Sequence, residues 1–160
     1  MSMIVVGMAD LNVTKYPGTL TTYGLGSCIG IALYDPMNKV AGLAHIMLPD
    51  STKIQSNSNT AKFADTAIVR LLNDMEKLGA KRINIKAKIA GGAQMFAFNT
   101  TNENLRIGER NIEATLKHLK QNRIPVVANE TGKDYGRTVE LFSDDGRLVI
   151  KTVGHGTKVV

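Results

Sequence analysis

The stretch CIGIALYDPMNKVAGLAHIML, residues 28–48, predicts a β-hairpin and decides how the rest of the chain is interpreted. Two apolar runs, Cys28–Tyr34 and Lys39–Leu48, flank Asp35-Pro36-Met37-Asn38, a run of residues typical of a turn. The hairpin matters because it brings the only cysteine of the chain, Cys28, toward His45.

A two-residue turn centred on Pro36 and Met37 predicts that Cys28 and His45 face each other directly across the ladder. Directly opposed residues have Cβ atoms about 4.5–5.5 Å apart, which is close enough for a thiolate–imidazolium pair. A one-residue bulge would instead move the histidine to the other face. The register, together with the glycine-rich residues before Cys28, gives a cysteine nucleophile equal weight with the alternative, a small buried hydrophobe beside a core histidine.

The glycines of Gly24-Leu25-Gly26-Ser27 precede the cysteine and allow a tight turn. Converging backbone N–H groups before a nucleophile can hold the oxyanion of a tetrahedral intermediate, although a plain turn between strands has the same composition. A third group should orient the imidazole of His45. Thr21 and Thr22 lie on the preceding strand, and the spacing does not choose between them.

The composition predicts one soluble domain, residues 1–160, with 43% hydrophobic and 21% charged residues. No stretch approaches a membrane helix, the N-terminus does not resemble a signal peptide, and a single cysteine suits a reducing cytoplasm. The net charge of +6 indicates a solvated basic surface or an acidic protein partner. Nucleic acid is less favoured, because no nucleic-acid motif is present.

The remaining patterns predict about eight strands and two helices in an α+β fold, with layered mixed or antiparallel sheets and flanking helices. The strands predicted outside the central hairpin are Met3–Val13, Thr19–Tyr23, Ile83–Ile89, Ile124–Ala128, Val139–Phe142 and Leu148–Val153.

Apolar residues recur at helical spacing from Phe63 to Leu78, and again in the segment 108–122. Asn59 or Thr60 is the candidate N-cap of the first helix, and Gly79 is its stop signal.

Three other features are weaker candidates for a functional site. Gly91-Gly92 follows a strand but lacks a phosphate-binding fingerprint, so close backbone packing is the better interpretation. His118 is expected to be solvated, and His155 is expected on a flexible surface. We expect no metal site, because one cysteine and three dispersed histidines do not form a ligand cluster.

Several motifs in this order resemble the CheD family of chemoreceptor glutamine deamidases, over nearly the whole chain. The matching blocks are Thr22-Tyr23-Gly24-Leu25-Gly26-Ser27-Cys28, Ala44-His45-Ile46-Met47-Leu48-Pro49-Asp50, Phe63-Ala64-Asp65-Thr66-Ala67, Lys88-Ile89-Ala90-Gly91-Gly92-Ala93-Gln94-Met95-Phe96, Ile107-Gly108-Glu109-Arg110-Asn111 and Glu130-Thr131-Gly132-Lys133-Asp134-Tyr135-Gly136-Arg137. Two positions depart from the family pattern: Lys133 stands where a second glycine is usual, and an acidic residue is more usual where Asn129 or Glu130 falls.

The resemblance implies a cysteine hydrolase fold similar to bacterial toxin deamidases and a Cys-His-Thr triad without a cofactor. It assigns Cys28 as nucleophile and His45 as base, and it selects Thr22 over Thr21. The implied partners are methyl-accepting chemotaxis receptors and the CheC phosphatase.

The implied reaction converts receptor glutamine to glutamate, releases ammonia and regulates chemotaxis adaptation. We expect backbone groups near Gly26, Ser27 and Cys28 to support the oxyanion. Two alternatives remain: a non-catalytic adaptor that binds receptors or CheC, and another thiol hydrolase such as a peptidase or a transglutaminase-like enzyme.

Overall fold

The computed structural model describes residues 2–94 and 106–160; Met95 and Phe96, which end one matching block, lie outside these ranges. The strands are β1 (Met3–Val5), β2 (Asp10–Lys15), β3 (Thr19–Leu25), β4 (Ile29–Asp35), β5 (Val40–Ile46), β6 (Lys86–Gly91), β7 (Val126–Thr131), β8 (Arg137–Phe142), β9 (Leu148–Thr152) and β10 (Gly156–Val159). The α-helices of the described ranges are α1 (Ala64–Lys77) and α2 (Ile107–Gln121), and Ser51–Lys53 and Arg82–Asn84 form short 3-10 turns.

The strands of the described ranges form two mixed five-stranded sheets. The outer sheet has the order β1-β3-β8-β9-β10, and the central sheet has the order β2-β5-β4-β6-β7. Each contains one parallel pair, β1 with β3 and β6 with β7, among antiparallel neighbours. The predicted α+β fold with layered mixed sheets and flanking helices is confirmed.

The central sheet is covered on both faces, which explains why every residue of β4 and β5 is buried. Ile29, Ile31 and Leu33 of β4 belong to the core that the sheet shares with α1 and α2. Ala32 and Tyr34 belong to the second core, between the two sheets. Because β-strand side chains alternate between faces, even-numbered positions of β4 point toward the outer sheet.

The predicted hairpin register is wrong by two positions. Asp35 pairs with Val40, so the loop contains four residues, and His45 pairs with Gly30 rather than with Cys28. The Asp35 carboxylate accepts hydrogen bonds from the backbone N–H groups of Met37 and Asn38, and Lys39 adopts a φ of 51°. This longer turn replaces the expected two-residue one, and the even shift keeps Cys28 and His45 on the same face.

Local backbone geometry explains the other differences. The predicted strand Met3–Val13 is divided between the two sheets, with Ala9 at a φ of 59° in the turn between them. Ile83 is 91% exposed on a 3-10 turn and lies outside β6, so the apolar alternation there was misleading. Strand β10 was not predicted.

Helix α1 begins later than the proposed caps, after Phe63, and has no side-chain cap. In the described ranges, neither helix is long and apolar enough to cross a membrane.

Candidate functional site

Thr22 and His45 meet between the two sheets. Thr22 lies on β3 of the outer sheet, His45 lies on β5 of the central sheet, and Thr22 Oγ1 is 2.7 Å from His45 Nδ1. Both side chains are buried. Thr21, the alternative that the spacing left open, instead donates its hydroxyl to the Val139 carbonyl, so the structure brings only Thr22 to the imidazole.

The hydrogen bonds of Thr22 determine the tautomer of His45. The Thr22 hydroxyl donates to the Val6 carbonyl over 2.7 Å. Because a hydroxyl has one hydrogen, Thr22 Oγ1 must accept from His45, so the neutral imidazole carries its proton on Nδ1 and a lone pair on Nε2. Nε2 is buried and has no hydrogen-bond partner among the described residues.

Cys28 immediately precedes β4 and lies on the same face of the sheet as Gly30, the partner of His45. The thiol is therefore a diagonal neighbour of the imidazole, a relation in which Cβ atoms are about 7–8 Å apart or somewhat closer. No hydrogen bond joins the thiol to Nε2. The directly opposed pair expected from the sequence is corrected to a diagonal pair on one face.

Burial keeps both groups neutral. It raises the pKa of the Cys28 thiol, an effect that exceeds the opposing one of the residue's own backbone N–H. Burial also lowers the pKa of His45. Desolvation thus disfavours a resting thiolate–imidazolium pair, because it penalises the charged form of each group.

Three consecutive carbonyls hold the loop that ends at Cys28. The Gly26 carbonyl accepts from the N–H of Ala93 over 2.8 Å, and the Cys28 carbonyl accepts from the N–H of Gly92 over 2.9 Å. The carbonyl between them, that of Ser27, accepts from the side-chain amide of Asn111 over 2.9 Å. The loop is thus fixed from the β6 end and from α2.

Gly91 and Gly92 have φ angles of 103° and 65°, a region that favours glycine. A Cβ atom at Gly91 would overlap the Cys28 carbonyl oxygen. The interpretation of this pair as close packing is confirmed, because the Gly92 N–H is bound to that carbonyl.

The sequence did not single out Asn111 or the Val6 carbonyl. Asn111 is fully buried on α2, and the available signal was a polar residue on the predicted buried side of that helix. The Val6 carbonyl carried no sequence signal, since any residue supplies one.

Two other residues that the sequence analysis named, His155 and Lys133, lie away from Thr22 and His45. His155 stacks on the ring of Tyr135, with centroids 4.1 Å apart, on an exposed turn. Lys133, where the resembled family usually has glycine, has a φ of 65°, which gives a backbone reason for that preference. Within the described ranges, no group of three or more His, Cys, Asp or Glu residues could hold a metal ion.

The protein is thus an α+β protein in which a threonine and a histidine meet between two sheets, with a cysteine on the same face as the histidine. The model of the family described as CheD chemotactic sensory transduction matches residues 47–152, a range that begins after the three site residues. Full-length comparisons include those residues.

The chain is 57% identical over 158 residues to the probable chemoreceptor glutamine deamidase CheD of Lachnoclostridium phytofermentans, covering 99% of this chain and 98% of the relative. It is 58% identical to the probable chemoreceptor glutamine deamidase CheD of Caldanaerobacter subterraneus subsp. tengcongensis (97% and 96% covered). It is 52% identical to the chemoreceptor glutamine deamidase CheD of Halalkalibacterium halodurans (99% and 98% covered). The chain belongs to the CheD family.

Among solved structures, the Neisseria meningitidis protein NMB0706 (DUF152) aligns with a TM-score of 0.48 and 9% identity. The alignment covers 83% of this chain and 65% of that protein.

Gly91→Ala is expected to destabilise the protein more than Gly79→Ala. Both glycines have nearly the same φ, 103° and 102°, but a Cβ at Gly79 has no heavy atom within 4 Å. The backbone strain alone costs about 1–3 kcal/mol in each variant, and the overlap at Gly91 adds a further cost of about 1–3 kcal/mol. Urea unfolding of both variants measures the difference; equal losses would show that the Cys28 carbonyl does not constrain Gly91.

The free energy of unfolding is expected to fall below about pH 6.5 because His45 is buried in its neutral form. The unfolded chain gains the proton first, since the folded pKa is the lower one, so stability is lost as the pH falls. The contribution is at most about 1.4 kcal/mol per pH unit. Urea unfolding at pH 7.5 and 5.5 should show a smaller loss for His45→Gln than for wild type. Parallel pH profiles would contradict the neutral, buried histidine.

Proposed function

We propose that this chain is a chemoreceptor glutamine deamidase that uses Cys28, His45 and Thr22. Two findings support this activity. The relatives at 52–58% identity bear the name chemoreceptor glutamine deamidase, two of them as probable. The observation that carries the mechanism is His45 Nε2, whose lone pair has no partner among residues 2–94 and 106–160. Thr22 holds this ring on the face that also carries Cys28.

The first step forms a thioester. The Cys28 proton moves to His45 Nε2 as the sulfur attacks the side-chain carbonyl carbon of the substrate glutamine. The carbon–nitrogen bond then breaks, and the imidazolium returns its proton to the departing ammonia. Neutral resting groups suit this order, because the thiolate forms as the substrate arrives rather than standing in the buried site.

Water completes the reaction. Neutral His45 takes a proton from the attacking water, the carbon–sulfur bond breaks, and the proton returns to Cys28. The products are glutamate and a free thiol, so no cofactor is required. Thr22 keeps the proton of the neutral ring on Nδ1, which leaves Nε2 as the acceptor in both steps.

The backbone before Cys28 supports the oxyanion in this proposal. The Cys28 N–H lowers the pKa of its own thiol, so this donor lies close to the sulfur that attacks the substrate in this proposal. Outside the ladders, the described residues supply no backbone hydrogen-bond acceptor for the N–H of Ser27 or Cys28. Gly26 helps to hold this backbone in place, because its carbonyl accepts a hydrogen bond from the N–H of Ala93.

We place this reaction in the cytoplasm, where a single free cysteine stays reduced. Residues 1–160 act as one deamidase domain, which is supported by the use of β4 and β5 in both hydrophobic cores. The substrates are methyl-accepting chemotaxis receptors, and their deamidation serves adaptation. The CheC phosphatase, carried over from the family resemblance, is the second partner.

The burial of the site favours one alternative, a non-catalytic adaptor that binds receptors or CheC. Cys28 is only 8% exposed and makes no hydrogen bond to Nε2, so catalysis requires a substrate that reaches the thiol. An adaptor would bind receptor without forming glutamate. A different thiol hydrolase would cleave a peptide bond or incorporate an amine.

Cys28→Ala is expected to abolish deamidation. A receptor fragment incubated with wild-type protein should gain about one dalton for each glutamine converted and release an equal amount of ammonia, because an NH₂ group is replaced by OH. Intact-mass spectrometry measures the gain, and circular dichroism checks that the variant is folded. Conversion by Cys28→Ala at the wild-type rate would refute the nucleophile; receptor binding without conversion by wild type would support the adaptor.

Thr22→Val is expected to reduce deamidation far more than Thr21→Val. Both threonines are buried on β3 and donate to a backbone carbonyl, but only Thr22 contacts His45. The loss should appear mainly in kcat, by about 10²-fold or more, since the imidazole loses the group that fixes its tautomer. Steady-state kinetics of the matched pair test this role, and equal effects would refute it.

A further inference from the structure

A buried side-chain amide connects the two segments that carry the cysteine and the histidine. Asn111 Nδ2 donates to the Ser27 carbonyl over 2.9 Å and to the Met47 carbonyl over 3.0 Å. Ser27 immediately precedes Cys28, and Met47 follows His45 by two residues. Helix α2 thus holds both segments through one group.

The orientation of this amide follows from its partners. Both neighbours are carbonyl oxygens, which only accept hydrogen bonds, so the NH₂ group of Asn111 must face them. The other end of the amide, Oδ1, is buried without a partner among the described residues. The two hydrogen bonds to the Ser27 and Met47 carbonyls account for the buried NH₂ group, whereas the unpaired Oδ1 costs stability.

We propose that Asn111 is a positioning residue that sets the separation of Cys28 and His45. This inference deepens the proposed deamidase function. The thiol and the imidazole are diagonal neighbours without a hydrogen bond, so their coupling depends on how the loop before Cys28 sits against the end of β5. Asn111 is a direct cross-link between the two: one hydrogen holds Ser27 and the other holds Met47.

The same helix offers a matched control. Thr115 lies one turn from Asn111, is fully buried, and also has a polar atom, Oγ1, without a partner. Its side chain makes no hydrogen bond to the loop before Cys28 or to β5. Thr115→Val should therefore leave the separation of Cys28 and His45 unchanged. Asn111→Ala removes the hydrogen bonds to the Ser27 and Met47 carbonyls.

The test measures how strongly His45 influences Cys28, without needing the receptor. The rate at which iodoacetamide alkylates Cys28 is measured at one neutral pH in the full-length protein. The effect of His45→Gln on this rate is measured in the wild-type background. The same effect is then measured in the Asn111→Ala and Thr115→Val backgrounds, using double variants. Asn111→Asp, nearly isosteric but without the amide donors, is the second test variant, and circular dichroism with thermal melting checks each fold.

In wild type and in Thr115→Val, His45→Gln should slow alkylation by about tenfold or more. In Asn111→Ala and Asn111→Asp, it should change the rate by less than about twofold, because the two sites are then uncoupled. In deamidation assays, both Asn111 variants should lower kcat and leave KM within about twofold.

A His45 effect of wild-type size in either folded Asn111 variant would overturn the inference. So would unfolding of both variants, since the amide would then be a requirement of the fold. A wild-type protein whose alkylation does not depend on His45 would refute the catalytic pair as well. If alkylation follows the expected pattern but the wild-type protein forms no glutamate, the positioning role of Asn111 stands and the proposed deamidase function is refuted.

Discussion

The hydrogen bond between Thr22 Oγ1 and His45 Nδ1 is the contact on which the site depends. It crosses the interface between the outer and central sheets, so it forms only when the two sheets pack in register. The Val6 carbonyl takes the single hydroxyl hydrogen and thereby obliges Thr22 to accept from the ring. A backbone atom outside both strands consequently decides which imidazole nitrogen is basic.

Burial changes the pKa values of the two groups at this site, Cys28 and His45. In water, a cysteine and a histidine would titrate near their ordinary values, but here desolvation raises the pKa of one and lowers that of the other. Desolvation therefore disfavours the charged form of both groups in the resting site. In the proposed reaction, the proton moves from sulfur to Nε2 only when a substrate amide enters, and backbone N–H groups before Cys28 stabilise the new negative charge.

The sequence predicted most of the fold, and it proposed Cys28 and His45 as candidate site residues. That β4 and β5 are strands could be predicted because both are almost continuously apolar and a turn motif separates them. The register could not, because it depends on the Asp35 carboxylate wrapping the turn and on Lys39 adopting a positive φ. The shift was even, so the conclusion that the thiol and imidazole share a face survived an incorrect turn.

Contacts between residues far apart in the chain also could not be predicted from the sequence pattern. Choosing Thr22 over Thr21 required a family resemblance, since neighbouring strand residues point to opposite faces and the sequence does not say which face meets His45. Asn111 appeared only within a motif, and its hydrogen bonds to Ser27 and Met47 span 84 and 64 positions of the chain. Periodicity describes elements and cannot show which buried polar group joins two of them.

Nitrogen-15 NMR of the His45 imidazole in the folded protein at neutral pH tests the central claim most directly. The structure predicts a neutral ring with its proton on Nδ1, hydrogen-bonded to Thr22, and a bare Nε2. Thr22→Val should remove this preference. A ring protonated on Nε2, or a doubly protonated ring at the same pH, would contradict the account.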